Sequence, residues 1–145
     1  MNVKFRFMDG TRDWGWINNH VGILRCEDTG GLVAVNADTG ETIAACVWDN
    51  ITANSVQCHL VIENALAVRH GFINNIADLI FNGWQKKAIY GLVPANNAKA
   101  IKMNKHIGFT IKTRLEDAYA EGVDYLVMEL KKENCPYFKN KSAAA

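Results

Sequence analysis

Two asparagines, Asn97 and Asn104, lie in the stretch Pro94-Ala-Asn-Asn-Ala-Lys-Ala-Ile-Lys-Met-Asn-Lys-His-Ile-Gly-Phe109. Their spacing puts both on one face of a helix, beside Ala100 and Ile101 and out of phase with Lys99, Lys102 and Lys105. An amide carries both a donor and an acceptor, so such a pair on a small, apolar face suits a polar partner. A capped surface helix stopped by a glycine accounts for the same residues. A second set lies in Ser55–Glu63, where strand alternation places Gln57, His59, Val61 and Glu63 on one face and Val56, Cys58, Leu60 and Ile62 on the other. His59 and Glu63 are the ionisable groups of that set; a hydrogen-bonded structural histidine and a solvated rim carboxylate are their plainer roles. The third set is Arg69-His70-Gly71-Phe72-Ile73-Asn74, two basic residues at the entry to an apolar-periodic segment. Other chemistries lack their residues: there is no His-x-x-x-His or Glu-x-x-His pair for a metal and no Gly-Lys-Ser/Thr loop for phosphoryl transfer.

These residues need elements to hold them. Val3–Met8 alternates as a strand ending at Asp9-Gly10, and Asp13–His20 carries a weak helical period through Trp14, Ile17 and Val21. Leu32–Asn36 and Thr42–Trp48 are apolar runs joined by Ala37-Asp-Thr-Gly40, the composition of a hairpin turn. Asp49-Asn50 and Ala53-Asn54 then make a connection to the Ser55–Glu63 strand. From Arg69 to Trp84 the apolar residues recur at helical spacing, and Asn82-Gly83 closes that segment. A strand at Lys87–Val93 leads to the helix beginning near Asn97, which Gly108 stops. Phe109–Arg114 reads as a strand, Leu115–Glu121 as a loop or helical turn closed by Gly122, and Val123–Leu130 as the last strand. Strands followed by strand–helix alternation predict an α/β or α+β chain, a mixed sheet with helices on its faces.

The bulk composition narrows the setting. A chain of 145 residues, 49% hydrophobic and 21% charged, forms one globular domain with a core of its own. A net charge of +1 gives no electrostatic case for nucleic acid or an anionic membrane. No apolar run has the length of a membrane span, and the N-terminus has no signal-peptide pattern. Cys26, Cys46, Cys58 and Cys135 contain no Cys-x-x-Cys pair and fit free thiols in a reducing cytoplasm. The domain is expected to span residues 1–141, with Ser142–Ala145 a vector-derived tail.

The Asn97…Ala100…Gly108-Phe109 segment resembles that of the GCN5-related N-acetyltransferase (GNAT) family, and the order of elements is similar over nearly the whole chain from Gly31. A closer resemblance is to acetyltransferase-like proteins of tailed bacteriophages, through Gln57-Cys-His-Leu60 and the ending Met128-Glu-Leu-Lys-Lys-Glu-Asn-Cys-Pro-Tyr137. The resemblance implies a single-domain acyl-CoA N-acyltransferase fold with a mixed, mostly antiparallel sheet of about seven strands. It implies acetyl-CoA as co-substrate and an amine acceptor, with a homodimer left open and the host cytoplasm as location if the chain is phage-encoded. Arg69, His70, Gly71, Phe72 and Asn74 would then lie where the family's loop cradles the CoA pyrophosphate, and Leu60, Ile62 and Asn97 would also meet the cofactor. Phe72 and Asn74 stand at the family's two glycine positions, with Gly71 one residue early, which implies lower CoA affinity. His59 and Glu63 become the candidate general bases. Asn104 holds the position where the family commonly has a proton-donating tyrosine, and an amide cannot deliver that proton. The alternative class is a catalytically silent interaction protein that kept the fold.

Overall fold

The computed structural model describes residues 1–139, so Ser142–Ala145 lies outside the described residues. The elements are β1 (Val3–Phe7), α1 (Gly10–Asn18), β2 (Gly30–Asn36), β3 (Thr42–Asp49), β4 (Ser55–Ile62), α2 (Leu66–Arg69), α3 (Phe72–Ala77), β5 (Ala88–Pro94), α4 (Ala98–Ile107), β6 (Thr110–Ala120) and β7 (Val123–Lys131). A π-helical turn, Asp78–Gly83, continues α3, and a 3₁₀ turn, Lys132–Asn134, follows β7. The seven strands form one sheet in the order β1-β2-β3-β4-β5-β7-β6. Its β4–β5 pair is parallel, and the pairs β1–β2, β2–β3, β5–β7 and β7–β6 are antiparallel. The chain divides into two compact units, one of Met1–Ile51 with Cys58–Ile76, the other of Thr52–Gln57 with the residues from Ala77 on.

In the first unit β1, β2 and β3 form an antiparallel meander, with Phe5 opposite Ala34 and Ala34 opposite Ala44. Side chains alternate across it. Val33, Val35, Ala45 and Val47 pack under Ile17 of α1, whereas Phe5 turns the other way and meets Phe72 of α3 at 5.4 Å between ring centroids. Helices therefore cover both faces of this part of the sheet. The start of α1 is held by Asp9, whose carboxylate accepts the Thr11 and Arg12 N–H groups at 2.9 and 3.2 Å.

In the second unit α4 lies on β5 and β7, with Ala100 and Ile101 packed against Val93, Leu126 and Met128. Gly108 ends α4 at φ 119°, in the left-handed region, and a Cβ there would lie 2.5 Å from the Asn134 carbonyl oxygen. Gly122 has φ 73° with open space around it. The two glycines make a matched test of strain and contact. Gly108→Ala should lower unfolding stability by about 2–5 kcal/mol, from a left-handed penalty of ~1–2 and an overpacking cost of ~1–3. Gly122→Ala should incur only the first. Urea midpoints at constant m-value check the difference.

Two expectations are corrected. The segment from Arg69 to Trp84 is not one regular helix: α2 stops at His70, Gly71 takes φ 92°, and α3 starts afresh at Phe72. The Leu115–Glu121 loop is instead the far half of β6, an outer strand exposed along its whole length. Its side chains are exposed throughout, so no buried face alternates along it. What makes it a strand is pairing with β7 around a bulge, where Asp117 adopts φ 52°. The Asp124 carboxylate fixes that bulge, accepting the Asp117 N–H at 2.9 Å and the Arg114 guanidinium at 2.7 Å. Those contacts hold Asp124 below the usual carboxylate range, the Asp117 N–H being the larger cause.

Candidate functional site

The first unit gathers three of the sequence-derived features around β4. His59 lies on β4, and its Nε2 is 3.4 Å from Oδ2 of Asp49, the last residue of β3. The pair is largely enclosed, with side-chain exposures of 12% for His59 and 19% for Asp49. It is close enough for an ion pair but not aligned for a hydrogen bond, and His59 Nε2 and Asp49 Oδ1 are both enclosed without a hydrogen-bond partner. An enclosed polar atom left unpaired costs about 1–3 kcal/mol. An imidazole beside a carboxylate is an arrangement that can accept a proton, with the carboxylate orienting the ring. Catalytic hydrogen bonds are often long before substrate binds and tighten afterwards.

Glu63, just past β4, is engaged differently. Its Oε1 lies 3.0 Å from His20 Nε2, while His20 Nδ1 is 2.8 Å from the Trp16 carbonyl and the ring stacks on Trp16. Glu63 is thus engaged with His20 at the surface, whereas His59 lies enclosed beside Asp49.

Cys58 precedes His59 and does not compete as a nucleophile. Its hydrogen bond with Cys46, its enclosure and the Asp49 charge together push the Cys58 thiol well above its ordinary range. The thiolate is the reactive form, so this strand does not offer an acyl-cysteine route. All four cysteines are free. Leu60 and Ile62 are half-buried residues of β4. The ladder to β5 consists of Ser55↔Ala88, Val56↔Ile89 and Gln57↔Tyr90, while β4 runs on to Ile62 and β5 to Pro94.

After β4, Asn64 accepts the Leu66 N–H at 3.0 Å and starts α2. Arg69 and His70 are exposed at the end of α2, and Arg69 has no carboxylate partner among the described residues. Gly71 is used to break the chain between two helices: its N–H and that of His70 bond back to Val68 and Leu66. Phe72 is fully buried against Phe5, so its side chain belongs to the core and only its backbone faces the helix start. Asn74 is exposed on the first turn of α3.

Asn97 and Asn104 belong to the second unit and do not form a shared amide face toward a polar partner. Asn97 caps α4, its Oδ1 accepting the Ala100 N–H at 3.1 Å. Asn104 is 8% exposed, and its Nδ2 points at Met128 Sδ, 3.7 Å away. Its carbonyl receives the Gly108 and Phe109 N–H groups. Of the two amides, only Asn104 turns toward β7, while Asn97 stays exposed at the cap.

Asp49 is the neighbour of His59 that the sequence did not reveal. It read as part of a connection, and only strand pairing brings it to His59. Its position as an acidic end to the apolar run Thr42–Trp48 was the one available signal.

No protein-family model matches the chain, and no curated protein sequence does. Solved structures match over most of its length. A mutant form of the spermidine/spermine N-acetyltransferase SpeG from Vibrio cholerae superposes with a TM-score of 0.73 at 16% identity, covering 91% of this chain and 96% of that one. The Vibrio cholerae spermidine N-acetyltransferase in complex with CoA and spermine gives 0.71 at 15% identity, covering 91% and 96%. A third structure of SpeG, with manganese ions, gives 0.71 at 16%, covering 89% and 92%. At these identities the likeness is one of fold. The seven-stranded mixed sheet with its helices is the acyl-CoA N-acyltransferase fold.

Proposed function

We propose that the protein is an acetyl-CoA-dependent N-acetyltransferase. The observation that carries the reading is the enclosed His59–Asp49 pair on β4 and β3 of an acyltransferase fold. The amine nitrogen attacks the thioester carbonyl, the C–N bond forms, the C–S bond breaks, and His59 takes the ammonium proton. CoA leaves as a thiolate protonated from solvent, since Asn104 is enclosed beside Met128 and has no proton to give. Arg69, His70 and the start of α3 would hold the pyrophosphate, and β4 at Leu60 and Ile62 would flank the acyl arm. The Vibrio cholerae neighbour binds CoA and spermine, so polyamines are the first acceptors to assay, ahead of protein amines. The bacteriophage resemblance of the β4 and C-terminal segments supports a phage-encoded member acting in the host cytoplasm.

Thermal-shift titration with CoA and acetyl-CoA tests the cofactor half. A ligand that binds only the folded state raises the melting temperature by mass action. Arg69→Ala should weaken binding by about 1–3 kcal/mol, the worth of a charge-assisted contact. The burial of Phe72 and the use of Gly71 as a helix break favour a second reading, a silent interaction protein on this fold. No melting shift at millimolar acetyl-CoA would decide for it.

A further inference from the structure

The second unit carries a groove of about 470 Å³ that the acetyl-transfer reading does not use. Its floor is two rows of side chains on adjacent strands. Ser55, Ala88 and Lys131 share one row, and Tyr90 and Glu129 the next, all on the sheet face opposite Val93 and Met128. Ser55 and Ala88 are small, and the hollow lies over them, with longer side chains around it.

The groove has an unusual charge pattern. Glu129 is buried, with 9% side-chain exposure. The Tyr90 hydroxyl donates to its Oε2 at 2.6 Å, while among the described residues Oε1 has only the Lys112 ammonium at 3.9 Å, too far for a hydrogen bond. A carboxyl oxygen in the floor is therefore left to accept from a visitor. Lys87, Lys131 and Lys132 line the rim, and none of the three has a carboxylate partner among the described residues. Glu133 is the other acidic lining residue, and it is exposed.

A simple anion would meet the lysines but also the Glu129 charge, and a simple amine would meet the reverse. The complementary ligand places an anionic group among the ammoniums and hydroxyl donors on Glu129 Oε1. We propose that this groove is a binding site for a phosphorylated ribose, carried either by a sugar phosphate or by a mononucleotide. The phosphate lies between Lys131, Lys132 and Lys87, and a ribose hydroxyl donates to Glu129. The site is independent of acetyl transfer and stands or falls without it.

Calorimetry on the full chain with ribose 5-phosphate and with adenosine 5′-monophosphate separates the two sources. Binding of at least one is expected, with ribose alone and inorganic phosphate alone about tenfold weaker or worse. Glu129→Gln keeps the shape of the floor and should weaken the bound probe about tenfold, as should Lys131→Ala combined with Lys132→Ala. The lysine pair is exposed, so that variant tests the site even if the buried substitution fails to fold. Saturating CoA should leave the binding unchanged. The proposal is overturned if neither probe binds at several millimolar, or if inorganic phosphate binds as well as both. Binding that CoA abolishes and the lysine variant leaves intact also overturns it, because the ligand would then occupy the cofactor site.

Discussion

His59→Gln should lower the rate of acetyl transfer by about 10²–10⁴-fold, the usual worth of a positioned general base, with CoA binding preserved. Glutamine fills similar space and hydrogen-bonds but takes no proton at neutral pH. The loss should fall on kcat, since the proton moves in the transition state and not on binding. Asp49→Asn should give a smaller loss in the same direction, because an amide still touches the ring but no longer stabilises its charged form. Cys58→Ala should leave turnover near wild type, since that thiol is held in its unreactive protonated form beside Cys46. Thioester consumption followed by thiol release with spermidine as acceptor, alongside melting temperatures, measures all three. A folded, CoA-binding His59→Gln variant with wild-type turnover would remove His59 from the chemistry. Loss of activity in Cys58→Ala alone would point to an acyl-enzyme instead.

What could be read ahead of the structure follows how locally each feature is determined. The β2–β3 hairpin is written in adjacent residues, two apolar runs and a turn whose Gly40 takes φ 77°. The stop at Gly108 is equally local, as is the cap at Asn97. The break between α2 and α3 was harder, because the apolar period runs on across it and one glycine is tolerated inside many helices. The Gly71 conformation, together with the back-bonds of His70 and Gly71, decides it. β6 was legible only in its first half, since its strand character comes from β7 and not from its own side chains. The site was half visible. His59 stood out as an ionisable residue in a strand, but Asp49 became its partner only through register. Asn104 shows the converse: its place on α4 was readable, and the surface it faces, Met128 of β7, was a tertiary fact.

A large stability effect is expected at Asp13, on α1. Its carboxylate is 3% exposed and grips the Arg6 guanidinium of β1 at 2.6 and 2.8 Å, while also accepting the Asp9 N–H at 2.7 Å. A two-point guanidinium–carboxylate pair fixes α1 to the strand in both distance and angle. Asp13→Ala leaves Arg6 facing a vacated site and strands the Asp9 amide. Breaking a buried pair from one side costs about 3–5 kcal/mol. The lower half of that range applies here, because Arg6 keeps 22% exposure and some of its hydration. Replacing both residues, with Arg6→Met beside Asp13→Ala, should be less damaging than the sum of the singles, since no unpaired charge remains. The acid limb of the stability curve should change as well. The Arg6 hydrogen bond, and secondarily the Asp9 N–H, hold the Asp13 carboxyl below its ordinary value. A depressed folded-state value means that the stabilisation is complete above the unfolded carboxylate range, about 4. It is lost as pH falls through the lower folded value. Arg6 is pushed up, and stays charged throughout. Wild type should therefore lose stability steeply below about pH 4, and the Asp13→Ala protein less steeply, so that the two curves converge in acid. Urea unfolding of both proteins across that range reads the convergence directly. Parallel curves would mean that Asp13 stabilises α1 by packing alone.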